Sequence, residues 1–400
     1  MVQNYQIKVD QADQYAQQAA WPDELARSLS LREISLCRGV DMCAKSVALS
    51  HSSQVSMKKV KFAIIGFGYI GRRHAEIIKG HPDCELVAIC DVLAEKAAAA
   101  DSYGVPGYPS AEAMLEAHPD AEVVCVCTPN GIHARHAVLA LSHKKHVVIE
   151  KPMGMTKADC EEVLFKSLQM SRQIFCVMQN RYSPTSAWLK TIVEDKVLGK
   201  IEMVQVNCYW NRDDRYYGKS NWKGKLDMDG GPLYTQFSHF MDIMYWLFGD
   251  ITDIAAKFHN FNHHHSTEFE DSGFVNFRFI HGGMGSFNYS TAVWDKNFES
   301  SITIVAEKGT VKVGGQYMEL VEYCHVEGYE MPTLPPANPP NDYGPYKGSA
   351  ANHHYIFENV VETLRGSGSI TTNALEGLKV VEIIERIYEQ RDLEKVMKAQ

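Results

Sequence analysis

Four hundred residues are more than one compact core usually holds, so two domains are expected. With 45% hydrophobic and 22% charged residues the composition is that of a globular protein, and a formal net charge of -9 argues against the basic stripe of a nucleic-acid binder. No apolar run approaches the length that spans a membrane, and ten cysteines in so long a chain fall short of a disulfide scaffold.

Residues 1–56 do not match the rest. The opening MVQNYQIKVDQADQYAQQAA is polar and Gln-rich, and nothing up to Ser56 has the pattern of a signal peptide or a twin-arginine signal. This stretch is expected to be a disordered or weakly helical extension without a catalytic role, and Met57 precedes a strong strand as a natural start often does. From Val60 onward, apolar strands alternate with helices. KVKFAIIG, CELVAICD, AEVVCVCTPN, HVVIEKP and QIFCVMQN read as strands; YIGRRHAEIIKG, AEKAAAADSYG, HARHAVLALSHKK and TKADCEEVLFKSLQMS read as helices. Near-continuous apolar strands between helices predict a doubly wound parallel sheet covered on both faces, over residues 57–180. Cys90, Cys125, Cys127 and Cys176 fall inside these strands as small hydrophobes, and no second pair accompanies Cys125 and Cys127 at zinc-ligand spacing. No metal is expected, and a reducing cytoplasm fits best.

After Tyr182 the pattern changes. IEMVQVNCYW, ITDIAAKFHNF, SGFVNFRFI, GMGSFNYSTAV, SSITIVAEKG and GTVKVGG predict an antiparallel sheet, preceded by one long apolar helix around Phe237–Phe248. His263-His264-His265 reads as a solvated loop, because adjacent histidines point in different directions. The proline-rich 332–349 stretch is a loop and a candidate lid; two amphipathic helices, near 351–365 and 373–390, finish the chain. The architecture is α/β followed by α+β, the second part spanning 181–400.

Gly66, Gly68 and Gly71 follow a predicted strand and open a predicted helix, the context a dinucleotide site requires. Gly66 permits the tight turn, Gly68 lets backbone N–H groups approach a pyrophosphate, and Gly71 lets the helix pack closely on the sheet. Phe67, Tyr69 and Ile70 complete that loop. Asp91 ends the second strand, twenty residues after Gly71, where a carboxylate accepts from ribose hydroxyls and favours NAD over NADP. Two further loops lie at strand carboxyl ends: Thr128-Pro129-Asn130 leading to His133, and Glu150-Lys151-Pro152. Lys151 is placed to reach a nicotinamide and the substrate carbon facing it, although the bare sequence suits a surface lysine equally. In GGPLYTQFSHFMDIMYWLFGD, Thr235, His239 and Asp242 fall at i, i+4 and i+7, one polar stripe on an apolar helix. A lone histidine there is more often a satisfied core residue; the stripe and the preceding Gly230-Gly231 favour a polar pocket.

These motifs together resemble the Gfo/Idh/MocA family of NAD(P)-dependent sugar and cyclitol oxidoreductases, from about Met57 to near the C-terminus. GFGYIG, Asp91, TPNGIH, the EKP signature at Glu150–Pro152 and the GG…H-x-x-D helix stand in the family's order and spacing. The resemblance implies an N-terminal Rossmann domain, bound NAD, a C-terminal domain with a large open antiparallel sheet, and a homodimer or homotetramer. It also implies that Lys151 and His239 share proton transfer and substrate orientation. One departure matters: many members have an aspartate four residues before the histidine, and here Thr235 occupies that place. A threonine cannot ionise, so it cannot complete a Lys–Asp–His relay. The stretch RYYGKSNWKGKLDMDGGPLYTQFSHFMD is similar to a subgroup that also lacks this aspartate, carries a polar residue and Gln236 instead, and oxidises UDP-N-acetylglucosaminuronate at the sugar 3-hydroxyl, for surface-polysaccharide precursors. A nucleotide diphosphate and a uronate need cations, and Arg181, Arg212, Arg215, Lys219, Lys223 and Lys225 cluster near this segment, with Tyr216, Tyr217 and Trp222 placed to stack. The alternatives are a solvated charged loop with a dehydrogenase of neutral polyols, a hinge role for Asn180 and Arg181, and an NAD-binding sensor without catalysis.

Overall fold

The computed structural model describes residues 58–399 except 219 and 345; the expectations for residues 1–56 and for Lys219 lie outside them. Six strands, β1 (Val60–Ile65), β2 (Cys84–Cys90), β3 (Gly107–Tyr108), β4 (Val123–Val126), β5 (His146–Ile149) and β6 (Ile174–Cys176), form one sheet in the order β3-β2-β1-β4-β5-β6. Every pair is parallel. The two-residue β3 was not singled out from sequence, being too short for any periodicity. Alternate β1 side chains feed two cores. Ala63 and Ile65 face helices Ala111–Ala117, His133–Ser142 and Lys157–Met170, while Phe62 and Ile64 face helix Tyr69–Gly80. Ile356, Phe357, Val360 and Val361 of helix His353–Leu364 join that second core, so a helix from near the end of the chain covers the first sheet. The strand order reverses between β1 and β4, and the crevice at such a switch point is where ligands bind in these sheets.

A seven-stranded sheet follows: β7 (Ile201–Tyr209), β8 (Ile251–His259), β9 (Ser272–Phe279), β10 (Met284–Ser290), β11 (Glu299–Ala306), β12 (Gly309–Gly314) and β13 (Leu320–Val326), in the order β13-β12-β11-β7-β10-β9-β8. It is antiparallel except for β7 with β10, where the β8–β9–β10 meander returns from the sheet edge. Its inner face buries Val204, Val206, Val275, Phe277, Phe287, Ile302 and Ile304 in one core with helix Ser238–Phe248. Trp210 packs edge-on against Phe237 and Phe240. The proline-rich stretch carries a small hairpin, β14 (Pro340–Asp342) with β15 (Lys347–Ala350).

The long apolar helix expected around Phe237–Phe248 is present as Ser238–Phe248, but it does not reach back to Thr235. Pro232–Thr235 forms a short turn entered through Gly231 at φ +118°, and Ser238–Phe248 follows after a jog in which the Phe237 amide reaches back to the Pro232 carbonyl at 2.9 Å. Thr235 and His239 therefore do not share a continuous stripe. The long helix is tied to the first sheet by charge. Arg181, in the turn Gln179–Tyr182 after β6, donates to Asp242 through Nε and Nη2 at 2.8 and 2.6 Å, and to Glu376 at 2.7 Å through Nη1. Both partners of the forked pair are 3% exposed or less. Breaking a buried pair strands one charge. Asp242→Ala is expected to lower the unfolding free energy by about 3–5 kcal/mol in chemical denaturation; an unchanged value would remove this pair from the account of the fold.

Candidate active site

The glycine loop has the geometry its sequence implies. Gly66 sits at φ +93°, and a Cβ there would lie 2.6 Å from the Cys127 carbonyl oxygen. A Cβ on Gly71 would fall 2.0 Å from the Gly66 carbonyl oxygen, so only glycine lets the helix approach this closely. Above Gly68 there is open space, and helix Tyr69–Gly80 begins without a side-chain cap or an acidic residue in its first turn. Its free N–H groups and positive end suit a pyrophosphate. The Asp91 carboxylate accepts from the Phe67 amide at 2.7 Å and the Leu93 amide at 2.9 Å, leaving lone pairs for ribose hydroxyls. The Phe67 side chain is buried core, Ile70 packs at the core margin, and Tyr69 is exposed with its ring 5.9 Å from Tyr343 of the hairpin loop.

At the ends of β4 and β5 the chain is locked from several sides. His133 lies between the carbonyls of Thr128 and Pro152, 2.7 Å from each, and the Lys151–Pro152 bond is cis. The Thr128 hydroxyl meets His136 at 3.2 Å. Glu150 is buried against His74 at 2.9 Å, with His353 at 3.9 Å. Burial alone would raise the Glu150 carboxyl, but the His74 bond and the surrounding positive charge hold it down at about 2. Asn130 points away from the glycine loop: its amide donates to the Asp229 carbonyl at 2.9 Å and the Thr235 hydroxyl at 2.7 Å. Gly131 allows this docking, since a Cβ there would lie 2.2 Å from the Asp227 carbonyl oxygen.

Lys151 Nζ donates to the main-chain carbonyl of Thr235. Burial lowers the Lys151 ammonium to about 8, with Arg212 lowering it further and Glu150 and Asp229 opposing. His239 is buried; burial, then Lys151 and His353, push its imidazole well below the usual range, so it is neutral. Its Nε2 lies 3.4 Å from the Gln179 amide nitrogen, which also donates to Ser349 at 2.9 Å. Its Nδ1 has no hydrogen-bond partner among the described residues, a cost that a ligand hydroxyl would relieve.

Three cations gather at this point without an ion pair among the described residues: Lys151, Arg212 and Lys223. Burial lowers Lys223 to about 8, Arg212 and Lys151 lowering it further while Asp229 opposes. Lys223 Nζ lies 3.6 Å from the Tyr216 ring centroid and donates to the Tyr346 hydroxyl at 3.3 Å. Arg212 spends its donors on Gln236, the Asn211 carbonyl, Asn297 and the Lys347 carbonyl, and so acts as fixed charge. The two lysines keep donors to spare.

Comparison with known proteins agrees with this geometry. Residues 60–176 match the model of the Gfo/Idh/MocA oxidoreductase family, NAD-binding Rossmann fold, and residues 187–312 match the GFO/IDH/MocA C-terminal domain. Among solved structures, the WlbA dehydrogenase of Bordetella pertussis, in complex with NADH and UDP-GlcNAcA, is 32% identical, with a TM-score of 0.74 over 83% of this chain and 96% of that one. The WlbA dehydrogenase of Chromobacterium violaceum, with the same two ligands, is 30% identical, with a TM-score of 0.76 over 84% of this chain and 95% of that one. This chain belongs to the Gfo/Idh/MocA oxidoreductase family. The inositol 2-dehydrogenase of Salmonella typhimurium is 30% identical over 199 residues, 48% of this chain and 55% of the relative; the chain spans about half the length of the curated relatives it matches first.

Within this Gfo/Idh/MocA chain the residues singled out from sequence divide into three groups. Gly66, Gly68, Gly71 and Asp91 line one crevice, and Lys151, Thr235 and His239 meet beside it. Arg181 and Asp242 satisfy each other, Gln236 holds Arg212 and the Tyr216 hydroxyl, and Tyr217 stacks edge-on against Tyr216 and His263. Trp222 is partly exposed, while the exposed Arg215 and Lys225 pair with Asp213 and Glu268. His263 departs from the solvated loop expected of it: it is buried, held by Asp271 at 2.9 Å and by the Arg212 carbonyl. His264 and His265 are exposed. Sequence reasoning passed over Asp229, buried beside Thr235, whose one signal was a carboxylate just before Gly230-Gly231. The eight described cysteines are free, and no helix among the described residues is long and apolar enough to cross a membrane. The glycine geometry makes a paired prediction. Gly68→Ala keeps the melting temperature but weakens NADH binding roughly tenfold in a fluorescence titration, whereas Gly71→Ala lowers both; equal behaviour of the two would contradict it.

Proposed function

We propose that this protein is an NAD-dependent dehydrogenase that oxidises the C3 hydroxyl of a UDP-N-acetylhexosaminuronate to a ketone. In this reading residues 57–180 hold the dinucleotide and 181–400 the sugar. The observation that carries the substrate class is a group of desolvated cations, the buried Arg212 with the half-buried Lys151 and Lys223, none with a carboxylate directly bound among the described residues. Buried positive charge without a partner is costly, and an anionic ligand offsets that cost. A neutral polyol would leave it standing. The WlbA structures, with UDP-GlcNAcA and NADH bound, support the same reading at modest identity.

The residues fit NAD: the uncapped helix end and open Gly68 for the pyrophosphate, Asp91 for the ribose. Bound NAD would supply the hydride acceptor for oxidation of the sugar carbon to a carbonyl. Lys151, lowered to about 8, takes the hydroxyl proton as a neutral amine and becomes an ammonium. His239 stays neutral and presents Nδ1 to the substrate oxygen. Lys223, on the fixed positive charge of Arg212, receives the uronate carboxylate. Because the base form of Lys151 is required, kcat/KM for oxidation rises with pH and levels off above about 8. The outward faces of the paired central strands β7 and β10, with Gln205, Asn207, Ser286 and Asn288, are uncharged and suit a homodimer or homotetramer interface, which light scattering reads.

The test is NADH formation from NAD with UDP-N-acetylglucosaminuronate, UDP-N-acetylglucosamine, myo-inositol and glucose, each with a ketone-trapping reagent. The uronate alone should react. Lys151→Met should cut kcat by about a hundredfold or more with NADH affinity unchanged, and Lys223→Met should raise KM for the uronate. Turnover of inositol or glucose alone would overturn the substrate reading, and turnover by Lys151→Met would overturn the role of the lysine.

A further inference from the structure

Thr235 stands where an ionisable partner for Lys151 would be expected, yet a carboxylate is present at that point in space. Asp229 is 2% exposed. Its Oδ1 accepts from the Thr235 hydroxyl and its Oδ2 accepts from the Gly224 amide at 2.8 Å. The Thr235 hydroxyl also accepts from the Asn130 amide at 2.7 Å, which fixes its donor direction toward Asp229. On the other side of the same residue, the Thr235 carbonyl accepts from Lys151 Nζ. Asp229 is thus separated from the Lys151 amine by one residue that both of them grip.

We infer that Asp229 supplies the carboxylate of this site from the loop before the helix, acting through Thr235 to hold the Lys151 amine in place and to stabilise its ammonium. It touches neither substrate nor cofactor in this arrangement and is a positioning residue. The inference deepens the dehydrogenase reading and rests on it for its purpose, though not for its measurement. The charges facing Asp229 come from every neighbouring element: Lys151 after β5, and Lys223, Tyr216 and Tyr217 with Arg212 behind them from the 212–225 segment. Burial pushes the Asp229 carboxyl up to about 6, against the pull of Thr235, Gly224, Lys223 and Lys151, so near neutral pH it is predominantly ionised. A negative charge there favours the ammonium form of Lys151, and removing it lets the lysine lose its proton at lower pH.

The test reads Lys151 without any sugar. Full-length protein with NADH bound is labelled with trace acetic anhydride across a pH series, and acetylation of the Lys151 peptide is followed by mass spectrometry. Asp229→Asn removes the charge, keeps an acceptor for the Gly224 amide and turns an amide donor toward the Thr235 oxygen in place of the second carboxylate oxygen. Its Lys151 midpoint should move about one pH unit or more to lower pH. The double variant Asp229→Asn/Thr235→Asp, with the carboxylate moved onto residue 235, should bring the midpoint back toward wild type. A midpoint unchanged in a folded Asp229→Asn protein overturns the inference, as does failure of the double variant to restore it. Should Asp229→Asn not fold, Asp229→Ser carries the same reading. A sugar panel without turnover would fail the dehydrogenase reading and leave this midpoint as informative as before.

Discussion

Positive charge drawn largely out of water around Lys151 is the constraint on which the rest of this site depends. Lys151 and Lys223 are each lowered to about 8, chiefly by burial and further by their shared neighbour Arg212. In water such lysines would titrate near 10.4 and neither would serve as a base near neutrality. Here the same desolvation that makes them costly brings their loss of a proton toward neutral pH. Aromatic faces moderate the cost alongside the nearby but unbonded Asp229: Lys223 over Tyr216 and Tyr346, Arg212 over Trp210, Tyr216 and Tyr346. A directly bonded carboxylate would raise each lysine and close the site to an anion. Rings leave the charge available.

The fold concentrates these groups by bringing loops from both sheets to one place. The turn after β4 docks on the loop before the short helix Pro232–Thr235, with the Gly131 amide donating to the Met228 carbonyl at 3.0 Å and Asn130 clamping Asp229 and Thr235. Tyr343 and Tyr346, on the hairpin loop, touch the glycine loop through Tyr69 and the cationic segment through Tyr216. Beneath them the Arg181–Asp242–Glu376 pairs hold the histidine helix to the end of β6. Groups distant in sequence are thereby fixed to within hydrogen-bond precision, which general acid–base chemistry requires.

Most of the dinucleotide crevice was legible because its physics is local. A glycine whose added Cβ would fall 2.0 Å from a backbone oxygen, or one held at φ +93°, shows in the sequence as glycine, and the strand–turn–helix order does the rest. Lys151 and His239 were legible as motif members. Arg181 and Asp242 were expected beside the substrate because a charged residue in an apolar helix looks unpaired in one dimension; their mutual bond spans 61 residues. Asp229 escaped for a related reason. The helical spacing linked Thr235 to His239, whereas the break at Phe237 turns Thr235 toward a loop aspartate that no periodicity connects to it. Helix His353–Leu364 likewise reads as one more amphipathic helix, and only the three-dimensional structure shows that its apolar face completes the first sheet.

The claim that the desolvated cations select an acidic sugar is tested most directly by calorimetric titration of the protein–NADH complex with UDP-N-acetylglucosaminuronate and, separately, UDP-N-acetylglucosamine. The two ligands differ only at the sugar C6, a carboxylate in one and a hydroxymethyl group in the other. The account predicts that the acid binds tighter by roughly tenfold or more, with the enthalpy of that difference lost in Lys223→Met. Equal affinities for the two ligands would contradict it.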